Sequence, residues 1–192
     1  MGETTPATVS RVRTRWPLRA AGGLLLAVGL YYAVGMAVVH RIDDDPNFAS
    51  DLQVPQEASH AVAVAAALIA REVDQHRWAA NDPFFQPGWL LDNMPNFQQG
   101  IIYALSRFAI ELTDQLARVR GSSEIDPDAD RAAGLLKYPG DVWILEWSTM
   151  PVQRSSERQY REARQALETY NARLARGQAV FERRADNLRS TL

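Results

Sequence analysis

Residues 20–39 form an unbroken apolar run of 20 positions, free of charge, rich in Leu, Val, Ala and Gly, and carrying Tyr31 and Tyr32. At a rise of 1.5 Å per residue, a helix of that length crosses a hydrocarbon core of roughly 30 Å. Beyond it the apolar positions recur three and four apart. Residues 58–70 are nearly all Ala, Val, Leu and Ile, with Val62, Ala66, Ile69 and Val73 at helical spacing, which predicts a helix from Gln56, just after Pro55, to Trp78. Its run of about 10 to 13 apolar residues is too short for a second span. A longer, central helix is expected from an N-cap at Asn96 to a stop before Gly121. Its face carries Phe97, Ile101, Leu105, Phe108, Leu112 and Val119, widened by Ile102, Ala109 and Leu116. Arg107 with Glu111, and Asp114 with Arg118, stand four apart as ion pairs.

Asp126 and Pro127 open a short helix that Tyr138, Pro139 and Gly140 close. Residues 142–147 are the one strand-like stretch and, with no obvious pairing partner, are expected to pack as an extended arm. From Ser155 to the end the chain reads as one helix. In it Tyr160, Ala163, Leu167, Tyr170, Leu174, Gly177, Phe181, Arg184 and Leu188 alternate three and four apart as a heptad seam. Tyr160, Leu167, Tyr170, Leu174 and Phe181 are its candidate helix-pairing positions, within the chain or across a dimer. Gly177 lowers helix propensity by about 1 kcal/mol and marks a close contact or a kink. The pattern predicts an all-α protein: one N-terminal transmembrane helix, then a periplasmic helical bundle with a long C-terminal heptad-patterned helix.

The flanks of the apolar run set its direction. Arg11, Arg13, Arg15 and Arg19 precede it against Glu3 alone, whereas Asp43, Asp44 and Asp45 follow soon after Arg41. The positive-inside rule keeps the N-terminus cytoplasmic, with Trp16 suited to the inner interface; Tyr31 and Tyr32 lie too deep to form an outer belt. Residues 1–15 are then a cytoplasmic tail, 16–41 a transmembrane anchor, 42–56 a linker and 57–192 a periplasmic helical domain. A cleaved signal peptide has a shorter core, and only Gly35-Met36-Ala37 offers a weak cleavage match. Pro6 stands where a myristoylation signal wants Ser or Thr. Gly29, Ala33 and Ala37 make a small-residue stripe, a candidate for anchor pairing in lipid.

Composition narrows the chemistry. The chain has no cysteine, which removes disulfides, thiolate catalysis and thiolate metal sites. The formal net charge of −2 hides an asymmetry: residues 1–41 are net +4, residues 42–150 net −10 and residues 151–192 net +4. An acidic middle and a basic tail attract one another within the fold or between protomers, and a basic tail also suits anionic lipid or cell-wall phosphate. No nucleic-acid partner is expected on that side of the membrane. The Asp126-x-Asp128-x-Asp130 run lacks the glycine and the final glutamate of a calcium loop, with Arg131 and Lys137 at those positions. His60 and His76 are too far apart for a zinc-protease helix, and Ser106 and Ser148 lack the glycines of a nucleophile elbow. No catalytic residue, cofactor or metal ligand is assigned.

Residues 78–96 combine three prolines and a Pro87-Gly88 turn with Trp78, Phe84, Phe85, Trp89, Leu90, Leu91 and Met94. So apolar a stretch must be an ordered, packed connection. Its interleaved Asn and Asp residues suit caps and Asx turns, while Asp82, Trp89, Asp92 and Asn93 form a candidate interaction surface. An enzyme acting on cell-wall glycan would need two carboxyls across a sugar cleft, and Asp82 and Asp92 near Trp89 are its candidates.

The blocks N-D-P-F-F-x-P-G-W-x-L-D-N-M-P-N-F-Q-x-G at 81–100, R-F-A-I-E-L-T-D at 107–114, R-V-R-G-S-S at 118–123 and F-E-R-R-A-D-N-L at 181–188 carry a resemblance. The chain resembles, over about residues 20–190, an uncharacterised family of proteobacterial membrane-anchored proteins classed as a domain of unknown function. The resemblance implies one N-terminal membrane helix and a helical domain that continues beyond Leu188, so that this chain carries an incomplete version. It brings no activity, ligand or catalytic residue. The expected function is that of a single-pass inner-membrane protein whose periplasmic domain acts by interaction, as an envelope scaffold or accessory subunit. Its expected partners are the bilayer through residues 16–41 and a second copy or an envelope protein. The alternative is a glycan-acting, cell-wall-modifying enzyme.

Overall fold

The computed structural model describes residues 16–119, 125–146 and 151–179. Among these residues the chain forms five α-helices: α1 Trp16–Val39, α2 His60–Ala70, α3 Asn93–Val119, α4 Pro127–Leu136 and α5 Ser156–Ala175. The fold is all-α, and the first helix is the apolar one.

The second helix starts four residues later than expected. Ser59 caps it by accepting from the Val62 N–H at 3.4 Å, and Asn171 of α5 holds that cap with both ends of its amide. At its far end the α-helix passes into a π-helical turn, Arg71–Gln75, so that Arg71, Glu72 and Val73 are buried in succession. A regular helix shows one stripe to a core, and the wider turn is what brings three consecutive side chains inward. The buried carboxylate of Glu72 accepts from Arg71 Nε at 2.7 Å. Arg71 in turn lies 3.6 Å from Asp43 and stacks over the Phe48 ring at 4.9 Å. Asp43 and Phe48, within the residues expected as a linker, thereby touch the domain.

The third helix begins at Asn93, not after a cap at Asn96. Asp92 occupies the cap, its side chain accepting from the Asn93 N–H at 2.7 Å and its carbonyl from the Asn96 N–H at 3.0 Å. The buried face keeps five expected positions and adds Gln98. It runs through Gln98, Ile102, Leu105, Ala109, Leu112 and Leu116, while Phe97, Ile101 and Phe108 are half-buried at its margin. Counting apolar residues alone missed Gln98, whose amide is fully satisfied inside the protein and turns the helix toward itself. The expected ion pairs along α3 do not form among the described residues; Glu111 accepts from Gln115 instead.

The core is built mostly from small residues between large ones. Ala65 and Ala66 of α2, Ala109 of α3, Ala129, Ala132 and Ala133 of α4, and Ala163 and Ala166 of α5 let the helices approach closely around Ile69, Leu112, Tyr160, Leu167 and Tyr170. The central element is α5, which packs on both α2 and α4; α3 packs chiefly on α4. Tyr160, Leu167, Tyr170 and Leu174 of the candidate seam are therefore buried inside this chain. The helix stops at Ala175. Gly177, at φ +67°, donates to the Leu174 carbonyl at 2.9 Å, and Gln178 donates to Arg173 at 2.8 Å. That pair of bonds is a Schellman stop, and its left-handed residue suits glycine. Gly177 thus ends the helix, and Phe181, Arg184 and Leu188 lie outside the described residues.

Among the described residues, part of the basic C-terminal segment pairs with acids of the middle segment. Arg161 and Arg164 of α5 reach Asp74 at 2.7 and 2.9 Å, and Arg173 reaches Asp126 and Asp128 at 2.6 Å each. Asp126 is buried and caps α4, accepting from the N–H groups of Asp128 and Ala129. The arm at 142–146 folds back on residues 151–153, with one antiparallel bridge between Leu145 and Val152.

Candidate functional site

The connection between α2 and α3 is irregular backbone held by side-chain hydrogen bonds. Trp78 packs edge-on against Tyr160 and donates its indole N–H to the Gly140 carbonyl at 2.9 Å. Asn81 donates to the Val142 carbonyl at 2.8 Å and to Glu157 at 2.9 Å. Gln98 of α3 accepts from the Ala79 N–H at 2.9 Å and donates to the carbonyls of Glu72 and Arg77 at 3.1 and 3.0 Å. Ser156, at the start of α5, accepts from the Val142 N–H at 3.1 Å and donates to the Pro139 carbonyl at 2.7 Å. Four side chains thus hold irregular backbone by its own polar groups, which is how a loop can be buried without leaving orphan donors.

The tip of the connection, with a 3₁₀ turn at Pro87–Leu90, meets α1. Tyr31 donates to the Phe85 carbonyl at 3.1 Å and Tyr32 to the Phe84 carbonyl at 2.5 Å. Gly35 faces the Pro87 ring so closely that a Cβ there would overlap it. Val39 completes the contact, buried with Ala79 and Met94 and flanked by Leu91. The Gly29, Ala33 and Ala37 stripe is exposed and takes no part.

On another side the connection borders a cleft of about 460 Å³ whose walls include Asp82, Phe84, Trp89, Asp141, Trp143 and Glu146. Of the four candidate surface residues, the structure brings only Asp82 and Trp89 to this cleft. Asp92 caps α3 and Asn93 opens it on the exposed side. Asp141, Trp143 and Glu146 come from the arm, some 60 positions away in sequence, and no local pattern links them to Trp89. Asp82 is buried and meets Arg77 at 2.9 Å. Burial pushes its carboxyl above the ordinary carboxylate value against the charge and hydrogen bond of Arg77, with Glu157 adding a smaller upward push. Among the described residues no three His, Asp or Glu side chains converge as metal ligands.

A group whose pKa is raised in the native state holds its proton more tightly folded than unfolded. Its stabilising contribution is fully present below the ordinary value of 3.8 and is lost as the pH climbs through the raised value. The unfolding free energy of the wild type, minus that of Asp82→Asn, should therefore fall as the pH rises from about 4 toward neutrality. Chemical denaturation across that range measures it; a difference that grows with pH contradicts the assignment.

Among the described residues, an apolar N-terminal helix joined, through a polar-clamped aromatic connection, to a unit of four packed helices defines an all-α protein with one candidate membrane span. The chain belongs to the family described as an uncharacterized protein conserved in bacteria, DUF2333, whose model matches residues 33–192. The match begins inside α1. Comparisons with curated proteins and with solved structures give no match.

Proposed function

We propose that this is a single-pass inner-membrane protein of the bacterial envelope, with a cytoplasmic N-terminus and α2 to α5 on the periplasmic side. The domain works by interaction, as a scaffold or accessory subunit held close to the bilayer. The observation that carries this reading is the docking of α1. A signal sequence that is cut away has no reason to be packed against the mature domain, whereas the outer end of α1 supplies Val39 to a buried cluster and two hydroxyls to the backbone of the connection. The arginines before α1 and the aspartates after it support the orientation. The exposed Gly29, Ala33 and Ala37 leave a close-approach face for a second copy or an envelope partner. Alkaline phosphatase fused after residue 60 should be active in a Gram-negative host. An inactive fusion, with a fluorescent cytoplasmic reporter at the same junction, overturns the orientation.

The cleft favours a second reading, binding of cell-wall glycan. Trp89 and Trp143 offer faces for sugar stacking, and Asp82, Asp141 and Glu146 offer carboxylates beside them. Titrating the purified protein with soluble peptidoglycan fragments should then quench or shift tryptophan emission in the wild type and not in Trp89→Ala. Identical flat titrations of both proteins sink this second reading and leave the first untouched.

A further inference from the structure

The anchor and the connection meet at an apolar edge, bordered on its far side by the carboxylates of the cleft. Phe84, Phe85, Trp89 and Leu90 are 61, 41, 57 and 53% exposed, four large side chains within seven positions at the tip of a folded loop. Phe84 packs edge-on against Phe85 and Phe85 against Trp143, yet the four keep a large exposed apolar area, the mark of a binding surface. The covering surface can be read from where the loop touches α1. Its backbone is tied to Tyr31 and Tyr32, and Pro87 sits on Gly35. Tyr31 is eight positions before Val39, the last residue of α1, so the contact lies about 12 Å below the outer end of that helix at 1.5 Å per residue.

We propose that residues 84–90 form a wedge that enters the outer leaflet of the same bilayer the anchor crosses, with Phe84, Phe85, Trp89 and Leu90 among the upper acyl chains. The proposal rests on the membrane reading of α1, adds a second point of insertion to it, and excludes the glycan reading of the cleft, which needs Trp89 in water. Three features agree. Irregular backbone is tolerated at membrane depth only where its polar groups are satisfied by protein, and the carbonyls of Phe84 and Phe85 accept the two tyrosine hydroxyls. Those hydroxyls, too deep in the span to reach water, gain acceptors by the same bonds. A groove of about 380 Å³ between anchor and connection grades from Tyr31, Gly35 and Pro87 to Arg41, His76 and Arg77. Apolar lining below and the guanidinium groups of Arg41 and Arg77 above match the passage from acyl chains to phosphates. The outer aromatic belt that α1 itself lacks is supplied by the connection. A wedge of this kind fixes the domain's height and tilt, which a single helix on a loose tether does not.

The absence of cysteine makes the test direct. Phe84→Cys, Leu90→Cys, Leu25→Cys and Glu168→Cys variants of the full chain are labelled with an environment-sensitive fluorophore and reconstituted in phosphatidylcholine/phosphatidylglycerol vesicles, with and without bromine on the acyl chains. Leu25, on the span, and Glu168, on α5, are the inside and outside references. The wedge predicts that brominated lipid quenches the labels at 84, 90 and 25 at least twofold and leaves 168 unchanged. Quenching at 25 with labels at 84 and 90 open to aqueous iodide overturns the wedge and leaves the anchor standing. Labels at 84 and 90 shielded from both quenchers mean that a second copy covers the surface, which also overturns it. No quenching at 25 removes the anchor reading and the wedge with it. Circular dichroism of Phe84→Cys and Leu90→Cys shows whether each variant is folded, and either one alone suffices for the comparison.

Discussion

Gly35→Val is expected to pull the anchor off the domain. A Cβ at this position overlaps the Pro87 ring, and neither side can yield cheaply: one is a helix backbone, the other a closed ring inside a 3₁₀ turn. Overpacking of this sort costs typically 1–3 kcal/mol, so the expected loss is about 3 kcal/mol at this rigid contact. Several contacts should fail together, because the tyrosine hydrogen bonds and the burial of Val39 depend on the same approach of α1. Amide hydrogen exchange in detergent is the suitable measurement. Residues 79, 91 and 94 should exchange at least tenfold faster in Gly35→Val than in the wild type, while the α2–α4–α5 core keeps its protection. Unchanged exchange at those three positions means that the helix is not docked there. Gly29→Val, on the exposed stripe, is the matched control and should leave exchange unaltered.

Gln98→Leu should be the more damaging change to the domain itself. Leucine fits the volume and removes three hydrogen bonds at once, leaving the buried Ala79 N–H and Glu72 carbonyl, and the part-buried Arg77 carbonyl, without this partner. An unsatisfied buried backbone group costs about 1–3 kcal/mol, and the total for the three, after local relaxation, is about 3 kcal/mol or more. For a domain of this size that lowers the melting temperature by roughly 10 °C. The loss should be cooperative, since the π-helical turn, the start of the connection and α3 all meet at this one amide. A melting temperature within about 2 °C of the wild type contradicts the role assigned to Gln98.

How far these features were legible in the sequence depends on the range of the force that makes them. Local chemistry could be read: Asp126 before Pro127 announced the cap of α4, and the regular spacing from Tyr160 to Leu174 announced the buried face of α5. Competing local signals misled by a few residues, as Pro55 pointed to Gln56 where Ser59 holds the cap, and Asn96 stood out where Asp92 caps. Gly177 shows why pattern alone does not settle a helix end. A glycine in an apolar seam fits a close contact as well as a stop, and only the backbone bonds of Gly177 and Gln178 distinguish them. Long-range contacts left almost no trace. Gly35 was visible only as part of a weak cleavage site, because its partner Pro87 lies 52 positions away. One signal was present and unread. Two tyrosines in the middle of an apolar helix carry hydroxyls that need acceptors, and here the carbonyls of Phe84 and Phe85 supply them. The cleft was half visible: Asp82 and Trp89 share a segment, but Asp141, Trp143 and Glu146 reach it only through the folding of the arm.

The central claim is that the apolar helix stays and is part of the working domain. Expressing the full chain in a Gram-negative host, washing the membranes with alkaline carbonate and taking the intact mass of the protein tests it most directly. A carbonate-resistant species that retains residues 16–39 is the expected result. A soluble species beginning after Ala37 would contradict it.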